Sequence, residues 1–312
     1  MSSEQVARWV AIPIALGAIS TSGILIRLTE APPLATAAYR MLGASAILLA
    51  FSLLRQRTEL RALSSGQIRL LVGGGVLVGL HFALWTSALF HTSVASAVLL
   101  TDTHPVFVAL AAWGFLGEPT LPAVWLGIGL AMLGSGVIGF GDLRLGGEAL
   151  TGDAMAIGAA ITFAGYLVIG RRARKDLGVA VYAGLVYGVG GLVITAMALL
   201  SGTSLTAFSQ NDVLAWLGLI LIPTMGGHTV FNWALRHLAA SVVGVAILGE
   251  PVLTTAWAWL ILREVPPLTV FVGGAVTLAG LYIALNKRAE GAAEPSAEVA
   301  TVAEAGGQAP PL

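Results

Sequence analysis

Residues 101–118, TDTHPVFVALAAWGFLGE, return 146 positions later as ILGEPVLTTAWAWLILRE at residues 247–264. Extending the comparison without gaps to residues 88–134 and 234–280 gives twelve identical pairs among 47. Chance gives roughly a tenth in a chain this apolar. The matches include proline, tryptophan, histidine and glutamate, so the chain contains an internal repeat. The identical pairs are Ala88/Ala234, Leu89/Leu235, His91/His237, Pro105/Pro251, Val106/Val252, Ala112/Ala258, Trp113/Trp259, Leu116/Leu262, Glu118/Glu264, Val124/Val270, Gly127/Gly273 and Gly134/Gly280.

The composition indicates a membrane protein. Hydrophobic residues make up 57% and charged residues 10% of the 312 residues, and the mean hydropathy is +0.88. Soluble domains carry about 25% charged residues. The formal net charge of zero argues against a nucleic-acid partner. Cysteine is absent, which excludes disulfides and thiolate metal sites, and we expect no cofactor.

Apolar stretches of about 20 residues can span a bilayer as helices. The sequence contains ten, five in each half. The first resembles a signal peptide, but many spans follow, so we interpret it as a membrane helix. An odd number of spans per copy makes the second copy enter the bilayer from the opposite side, as in transporters whose site lies between inverted repeats. The predicted spans are 10–27, 34–54, 68–89, 94–116, 122–140, 153–170, 178–201, 212–234, 240–262 and 268–286.

These patterns predict an all-α membrane protein, with ten transmembrane helices forming two inverted five-helix repeats around a central cavity. The C-terminal tail is rich in Ala, Glu, Pro and Gly and has no aromatic residue, so we expect it to be disordered. The predicted organisation is a cytoplasmic N-terminus (1–9), a first repeat (10–140), an outer loop (141–152), a second repeat (153–286) and a cytoplasmic tail (287–312).

Lysine and arginine residues predict the orientation, because cytoplasmic loops are enriched in both. With the N-terminus inside, twelve of the 16 lie on the cytoplasmic side, three lie outside and Arg40 falls within the second span. Both termini are therefore expected in the cytoplasm. The twelve are Arg8, Arg55, Arg57, Arg61, Arg69, Arg171, Arg172, Arg174, Lys175, Arg236, Lys287 and Arg288, and the outer three are Arg27, Arg144 and Arg263.

The repeated stretches at 101–118 and 247–264 share a Pro-Val pair, small residues and a terminal Glu. This pattern resembles the EamA family of the drug/metabolite transporter superfamily, and the resemblance covers residues 8–288. It implies a ten-helix carrier of the bacterial inner membrane that exports metabolites, often amino acids, commonly with proton exchange. The implied partners are a small-molecule substrate and the lipid bilayer.

Ionisable residues inside spans are candidates for function, because each costs roughly 2.5–3.5 kcal/mol on insertion scales. Glu250 lies near the centre of the ninth span and Asp102 in the fourth. Either carboxyl group could bind and release a proton during transport. The alternative is that each bonds a polar group on a neighbouring helix and never titrates. The residues counted inside spans are Arg40, His81, Asp102, His104, His228 and Glu250.

Pro105 and Pro251 are predicted as mid-helix hinges. Each removes one backbone hydrogen bond and frees the carbonyl four residues earlier, at Thr101 and Ile247. A freed carbonyl at membrane depth needs protein or a wet cavity to satisfy it. The two prolines therefore either shape a central cavity or only bend helices so that they pack.

Arg40 could pair with a substrate carboxylate or extend toward the membrane interface. His81 and Trp85 are four residues apart and share one helix face. An aromatic wall there could hold a substrate ammonium, with a gain of about 1–2 kcal/mol, although aromatic residues in membrane helices more often serve packing. Further candidates for substrate contact are Tyr39, Asn232, Trp233 and Trp257, and those predicted as interfacial anchors are Trp9, Trp125 and Trp216.

The enzyme alternative is an intramembrane aspartyl protease, suggested by GFGD at 139–142. That chemistry needs a second aspartate at similar depth, and Asp102 is predicted far deeper than Asp142. Within transport, a sugar-phosphate or nucleotide-sugar carrier would need several cations in the spans, and only Arg40 is present. A drug or other-metabolite exporter is a further alternative. We therefore predict no enzyme activity but a secondary exporter of amino acids or related compounds that uses alternating access, a monomer with a dimer as the alternative.

Overall fold

The computed structural model describes residues 2–92, 97, 100–139, 147–263 and 268–291. They form helices joined by turns, with no strand among them, which confirms the all-helical class. In chain order the helices are α1 (Ser3–Ile26), α2 (Pro33–Arg55), α3 (Arg57–Arg61), α4 (Ser65–His91), α5 (His104–Leu116), α6 (Pro122–Gly139), α7 (Gly147–Ala173), α8 (Val179–Leu200), α9 (Gln210–Ala234), α10 (Ala240–Ile261) and α11 (Leu268–Gly291).

Seven of these helices are long and apolar enough to cross a membrane, within the residues that the structure describes. They are α1, α2, α4, α7, α8, α9 and α10. Shorter apolar segments, His104–Leu116, Pro122–Val137 and Phe271–Leu285, occupy the places of the fourth, fifth and tenth predicted spans. The chain is thus a multi-span helical protein, and the number of crossings stays a prediction.

Side-chain caps fix where helices begin. Ser64 starts α4 and Ser209 starts α9, each with a side chain that accepts a hydrogen bond from the backbone three residues on. Asp212, in the first turn of α9, also accepts hydrogen bonds from the backbone N–H groups of Glu30 (2.7 Å) and Ala31 (3.0 Å). The turn between α1 and α2 is therefore tied to the start of α9.

Both repeat prolines lie just after a break in the helical chain. Pro105 is the second residue of α5, after a turn at 102–103, and Pro251 is the second residue of the helical segment that resumes at Glu250. A proline is tolerated in the first helical turn because its missing N–H has no partner there in any case. The breaks at 102–103 and 248–249 are equivalent in the repeat. The hinge role of the two prolines stays a prediction.

Most helices of one half of the chain pack against helices of the other half. Helix α4 packs against α7 and α8, and α9 packs against α1 and α2. Helix α5 packs against α7 and α10, α2 against α8, and α6 against α11. Most contacts thus join one half to the other, so neither half forms a separate core.

Glycines allow the closest of these crossings, between α6 and α11. A Cβ atom at Gly127 would lie 2.7 Å from the carbonyl oxygen of Gly280, and Gly134 meets the backbone of Gly273 in the same way. The two crossings run in opposite chain order, so the helices are antiparallel. Small residues let membrane helices approach to backbone contact, so these four glycines serve helix packing.

Helix α11 ends later than predicted. It continues to Gly291, so the first residues of the predicted tail at 287–312 are helical, because Lys, Arg, Ala and Glu are good helix formers. Residues 292–312 lie outside the described residues. So do Glu264 and residues 140–142 of the GFGD string.

Replacing Gly127 by Ala tests the α6–α11 crossing. We expect Gly127→Ala to lower the free energy of unfolding by about 1–3 kcal/mol, because the added methyl group overlaps the backbone of α11. Gly129→Ala in the same helix is the matched control, since a Cβ there meets nothing within 4 Å. Thermal unfolding in detergent measures both. Equal stability of the two variants would contradict this crossing.

Candidate functional site

The six ionisable residues predicted inside spans form one electrostatic group. The charge of Arg40 acts on Glu250, on His81 and on His228. The charge of Glu250 acts in turn on Asp102, and that of His104 acts on His81. These residues come from five helices and the turn before α5, so the fold gathers them from across the sequence.

Protein groups contact the guanidinium of Arg40 on one edge and on one face. It is 3% exposed, and its Nε donates a hydrogen bond of 2.7 Å to the hydroxyl of Thr224. The Thr224 hydroxyl donates onward to the carbonyl of Leu219, in the widened π-helical part of α9 at Ile220–His228. The guanidinium carbon lies 4.8 Å from the centre of the Phe82 ring. The Nη2 atom is buried and has no hydrogen-bond partner.

A cavity of about 100 Å³ reaches Arg40 from the turn between α1 and α2. Its walls include Phe82 and Trp85 from α4 and Leu219 from α9. Arg40 and Trp85 are the two predicted site residues that line it. Such cavities with mainly apolar walls and few polar groups are typical of small-molecule sites.

Two histidine rings contact Phe82, which lines this cavity. His81 Nδ1 is 3.0 Å from the carbonyl oxygen of Ala159, and its ring lies against Phe163 with centroids 4.6 Å apart. The His228 ring meets the Phe82 ring edge to face at 5.5 Å. Phe82 and His228 are 146 positions apart and so are equivalent in the repeat. The site therefore includes a contact between equivalent residues of the two copies.

His104 lies between two carbonyl oxygens. Its Nδ1 is 3.1 Å from the oxygen of Thr101 and its Nε2 is 3.1 Å from that of Gly244 in α10. A neutral imidazole carries one N–H, so only the protonated ring can donate to both. The carbonyl of Thr101, predicted to be freed by Pro105, thus faces a ring nitrogen of His104, and this side chain links the two broken spans.

The two acids lie at the breaks. Asp102 belongs to the turn before α5, where it is 8% exposed and its Oδ2 has no hydrogen-bond partner. The hydroxyl of Ser135 lies beside this carboxyl group. Glu250 begins the second part of α10. Its charge acts on Arg40, yet no salt bridge joins these two described residues. Among the described residues, neither acid therefore forms a salt bridge with a cation.

Asn232 is fully buried in a hydrogen-bond network rather than in the cavity. Its Oδ1 accepts from the hydroxyl of Tyr166 (2.7 Å), and its Nδ2 donates to the hydroxyl of Tyr187 (3.0 Å). The Tyr187 hydroxyl also contacts the hydroxyl of Thr229 (3.2 Å). These bonds join α7, α8 and α9, so the geometry favours a structural role for Asn232.

Three other aromatic candidates have protein partners away from the cavity wall. Tyr39 donates to the carbonyl of Leu205 at 2.8 Å. The Trp257 Nε1 atom donates to the carbonyl of Gly17 at 3.1 Å. Trp233 lies against His237 with ring centroids 4.6 Å apart. These contacts favour packing as the role of all three.

Trp216 is not an interfacial anchor, so that prediction is wrong. It is 5% exposed, stacks on Tyr39 with centroids 4.2 Å apart, and donates to the hydroxyl of Thr36 at 3.1 Å. Its place in the second turn of α9, which the α1–α2 turn covers, buries it. Trp9 and Trp125 are 45% and 37% exposed, as anchors at the surface would be.

At the opposite end of the helices from the cavity mouth, arginines join several helix ends. Arg171 contacts Glu118 at 3.0 Å and donates to the carbonyl of Leu235 at 2.9 Å. Arg174 is 2% exposed and donates to the carbonyl of Asn232 at 3.0 Å. Burial lowers the pKa of Arg174 to about 10, which leaves it charged at neutral pH. We call Arg171, Arg174 and Glu118 the arginine cluster. These arginines contributed to the predicted orientation in the membrane, but the sequence did not predict their contacts.

The EamA-like transporter family model matches residues 8–140 and 150–286. The chain belongs to this family. An uncharacterized transporter of Archaeoglobus fulgidus is 28% identical over 85% of this chain and 92% of that protein. A probable terminal-alkyne amino-acid exporter of Streptantibioticus cattleyicolor is 29% identical over 64% of this chain and 67% of that protein. A solved crystal structure, 20% identical, superposes with a TM-score of 0.73 over 91% of this chain and 97% of that one, which shows a shared fold.

Asn232→Ala separates the structural role from substrate contact. We expect it to lower the free energy of unfolding by about 1–3 kcal/mol, because two buried tyrosine hydroxyls lose their partner. Asn211→Ala, at an exposed position of the same helix, should change stability little. Thermal unfolding in detergent measures the difference. Unchanged stability combined with weakened substrate binding would instead return Asn232 to the binding site.

Proposed function

We propose that this member of the EamA-like transporter family is a secondary exporter of the bacterial inner membrane. It carries small metabolites, amino acids or related compounds, out of the cell by alternating access. Its ten membrane helices form two inverted halves, with both termini in the cytoplasm. The supporting observation is that equivalent residues of the two copies contact each other beside a cavity that contains buried charge.

Reciprocal contacts support the inverted arrangement. Gly127 touches Gly280 and Gly134 touches Gly273, and each residue in one contact is the repeat equivalent of one in the other. Such an exchange of partners is the mark of a two-fold axis. At the centre of this crossing the Thr277 hydroxyl lies 3.5 Å from the carbonyl oxygen of Ala131, its own repeat equivalent.

The same exchange occurs between α2 and α8. A Cβ atom at Gly188 would lie 2.8 Å from the Ser45 hydroxyl, and one at Gly191 would lie 2.6 Å from the Leu42 side chain. Leu42 is the equivalent of Gly188, and Ser45 is the equivalent of Gly191. The contact of Phe82 with its equivalent His228 lies beside Arg40. A pseudo-two-fold axis through this contact would place the site between the halves, as in carriers built from inverted repeats.

The two ends of the molecule differ as alternating access requires. The cavity leads to the α1–α2 turn, which is on the outer side in the proposed orientation. The arginine cluster joins helix ends on the cytoplasmic side. The repeat equivalent of Arg171 is Leu25, so the described residues contain no matching ion pair at the outer end. In this proposal the cavity opens to the outside, and the arginine cluster stabilises that outward-facing state by holding the cytoplasmic helix ends together.

Glu250 is the proposed coupling group. It resumes the helix after the break in α10, and its charge acts on both Arg40 and Asp102. A carboxyl group next to a break in its helix can take a proton from one side of the membrane and release it to the other. The phosphate-carrier alternative has less support, because Arg40 is the one cation among the described residues that line the cavity, and one cation cannot neutralise a phosphate dianion.

Transport in liposomes tests the proposed function. Purified protein is reconstituted into liposomes loaded with labelled amino acids, and efflux is measured with and without a pH gradient. At least one amino acid should leave faster than from protein-free liposomes, and the gradient should accelerate this efflux. Glu250→Gln should retain exchange without a gradient but lose the acceleration, because glutamine cannot carry a proton.

Glu30→Gln, at an exposed acid near the cavity mouth, serves as the control and should behave as the unmodified protein. Efflux of Glu250→Gln that still responds fully to the gradient would remove Glu250 from the coupling role. No efflux of any tested amino acid by the unmodified protein would contradict amino-acid export itself.

Accessibility of an introduced cysteine tests the arginine cluster. The chain has no cysteine, so Thr86→Cys puts a single thiol in the cavity wall. We expect an impermeant maleimide added outside to label it. Adding Glu118→Gln should slow the labelling, because losing a partly buried ion pair worth about 1 kcal/mol shifts the conformational equilibrium about fivefold.

Glu4→Gln is the matched control, since Glu4 pairs with Arg8 on the same side of the membrane but is 46% exposed. An equal labelling rate for all three proteins would show that the Glu118–Arg171 pair does not stabilise the outward-facing state.

A further inference from the structure

We propose that the cavity beside Arg40 binds a carboxylate group of the transported compound, and that this guanidinium selects carboxylates over amines. The proposal rests on the proposed transport function and names the substrate chemistry at its site. It follows from the incomplete hydrogen bonding of Arg40, the shape of the space around it and the lack of a matching cation in the second copy.

The first step is the missing acceptor. Among the arginine nitrogens of the described residues, Arg40 Nη2 is the one that is buried without a hydrogen-bond partner. The other deeply buried arginines are satisfied, since Arg8 donates to the carbonyl of Leu285 and Arg174 to those of Asn232 and Leu177. Buried donors are rarely left unpaired. A ligand oxygen would complete the set at Arg40.

The second step is the geometry that remains for a ligand. Thr224 occupies the Nε edge of the guanidinium, and the Phe82 ring covers one face at 4.8 Å. Neither contact uses the terminal nitrogens, which are left to pair with a ligand. Arginine binds carboxylates there through two parallel N–H donors. A buried guanidinium without a salt bridge also favours an anionic partner over a neutral one.

The third step is the character of the walls. Hydroxyl groups near Arg40 are already engaged, because Thr36 accepts from Trp216 and Thr86 donates to the carbonyl of Phe82. The remaining wall is largely apolar, with Trp85 and Leu219. A cavity of about 100 Å³ holds a compact group. The ligand is thus a small organic acid whose carboxylate meets Arg40 and whose apolar part meets these side chains.

The repeat gives this site a direction. The equivalent of Arg40 in the second copy is Val186, which is fully buried. The pseudo-symmetric half therefore has no second carboxylate anchor, and a ligand binds in one orientation. A ligand with an amine alone would leave Arg40 unpaired and meet its repulsion.

Four ligands that share an isobutyl group test the proposal on the purified full-length protein in detergent. Leucine carries both charges, isovalerate the carboxylate alone, and leucinamide and 3-methylbutylamine no carboxylate. Binding is followed by tryptophan fluorescence, since Trp85 lines the cavity. Leucine and isovalerate should bind at least tenfold more tightly than the two amines. Arg40→Met should abolish this preference, and Arg61→Met, at an exposed position, should preserve it.

Arg40→Met could also destabilise the protein, so Thr224→Val provides a second variant. It removes the hydroxyl that orients Nε but keeps the charge, and it should weaken leucine binding several-fold while the preference over leucinamide persists. Leucinamide binding as tight as leucine binding, or no binding of either carboxylate, would overturn the proposal. Liposome transport of the amines would then leave export intact and refute only the carboxylate site, whereas carboxylate binding without any transport would refute export alone.

Discussion

The close approach of helix backbones at glycine is the constraint on which the rest of the structure depends. Lipid tails are as apolar as leucine, so membrane helices gain little by burying apolar side chains and must associate through contact and hydrogen bonding. At the α6–α11 crossing glycine lies directly against backbone. Because the crossing exchanges equivalent residues, one geometric solution serves both copies of the repeat and places their broken spans next to each other.

The two copies of the repeat share the helix packing but differ in their charged residues. The helix packing pairs equivalent positions, but the charged residues differ between the copies. His104 is equivalent to Glu250, Arg40 to Val186, and Asp102 to Leu248. Each half alone would bring an incomplete set of groups to the centre. The assembled site contains a cation, two acids and three histidines within one electrostatic group, and this set exists only because α1, α2, α4, α5, α7, α9 and α10 pack across the repeat boundary.

The sequence predicted the helical class, the repeat and the six ionisable residues of the site, because hydropathy and charge can be read along the chain. It could not predict where side chains point. Pro105 and Pro251 look like mid-helix breaks when spans are drawn as continuous stretches, whereas the real breaks precede them. Asn232 looks like a polar ligand contact until both its amide atoms are found in protein hydrogen bonds. Trp216 lies near a span end, where interfacial anchors are usually found. The α1–α2 turn buries it, and only the tertiary structure brings that turn over it.

The one-sided arginine cluster bears on the energetics of the transport cycle. In a perfectly symmetric pair of repeats, the states open to either side would be images of each other and equal in free energy. The ion pair of Arg171, with Leu25 at the equivalent position, removes that degeneracy. Under the proposed alternating access, the more stable state is the one in which this pair is intact, and leaving that state requires separation of the two charges. Solute gradients still decide the direction of net flux, while the difference in free energy between the two states decides which of them an empty carrier occupies.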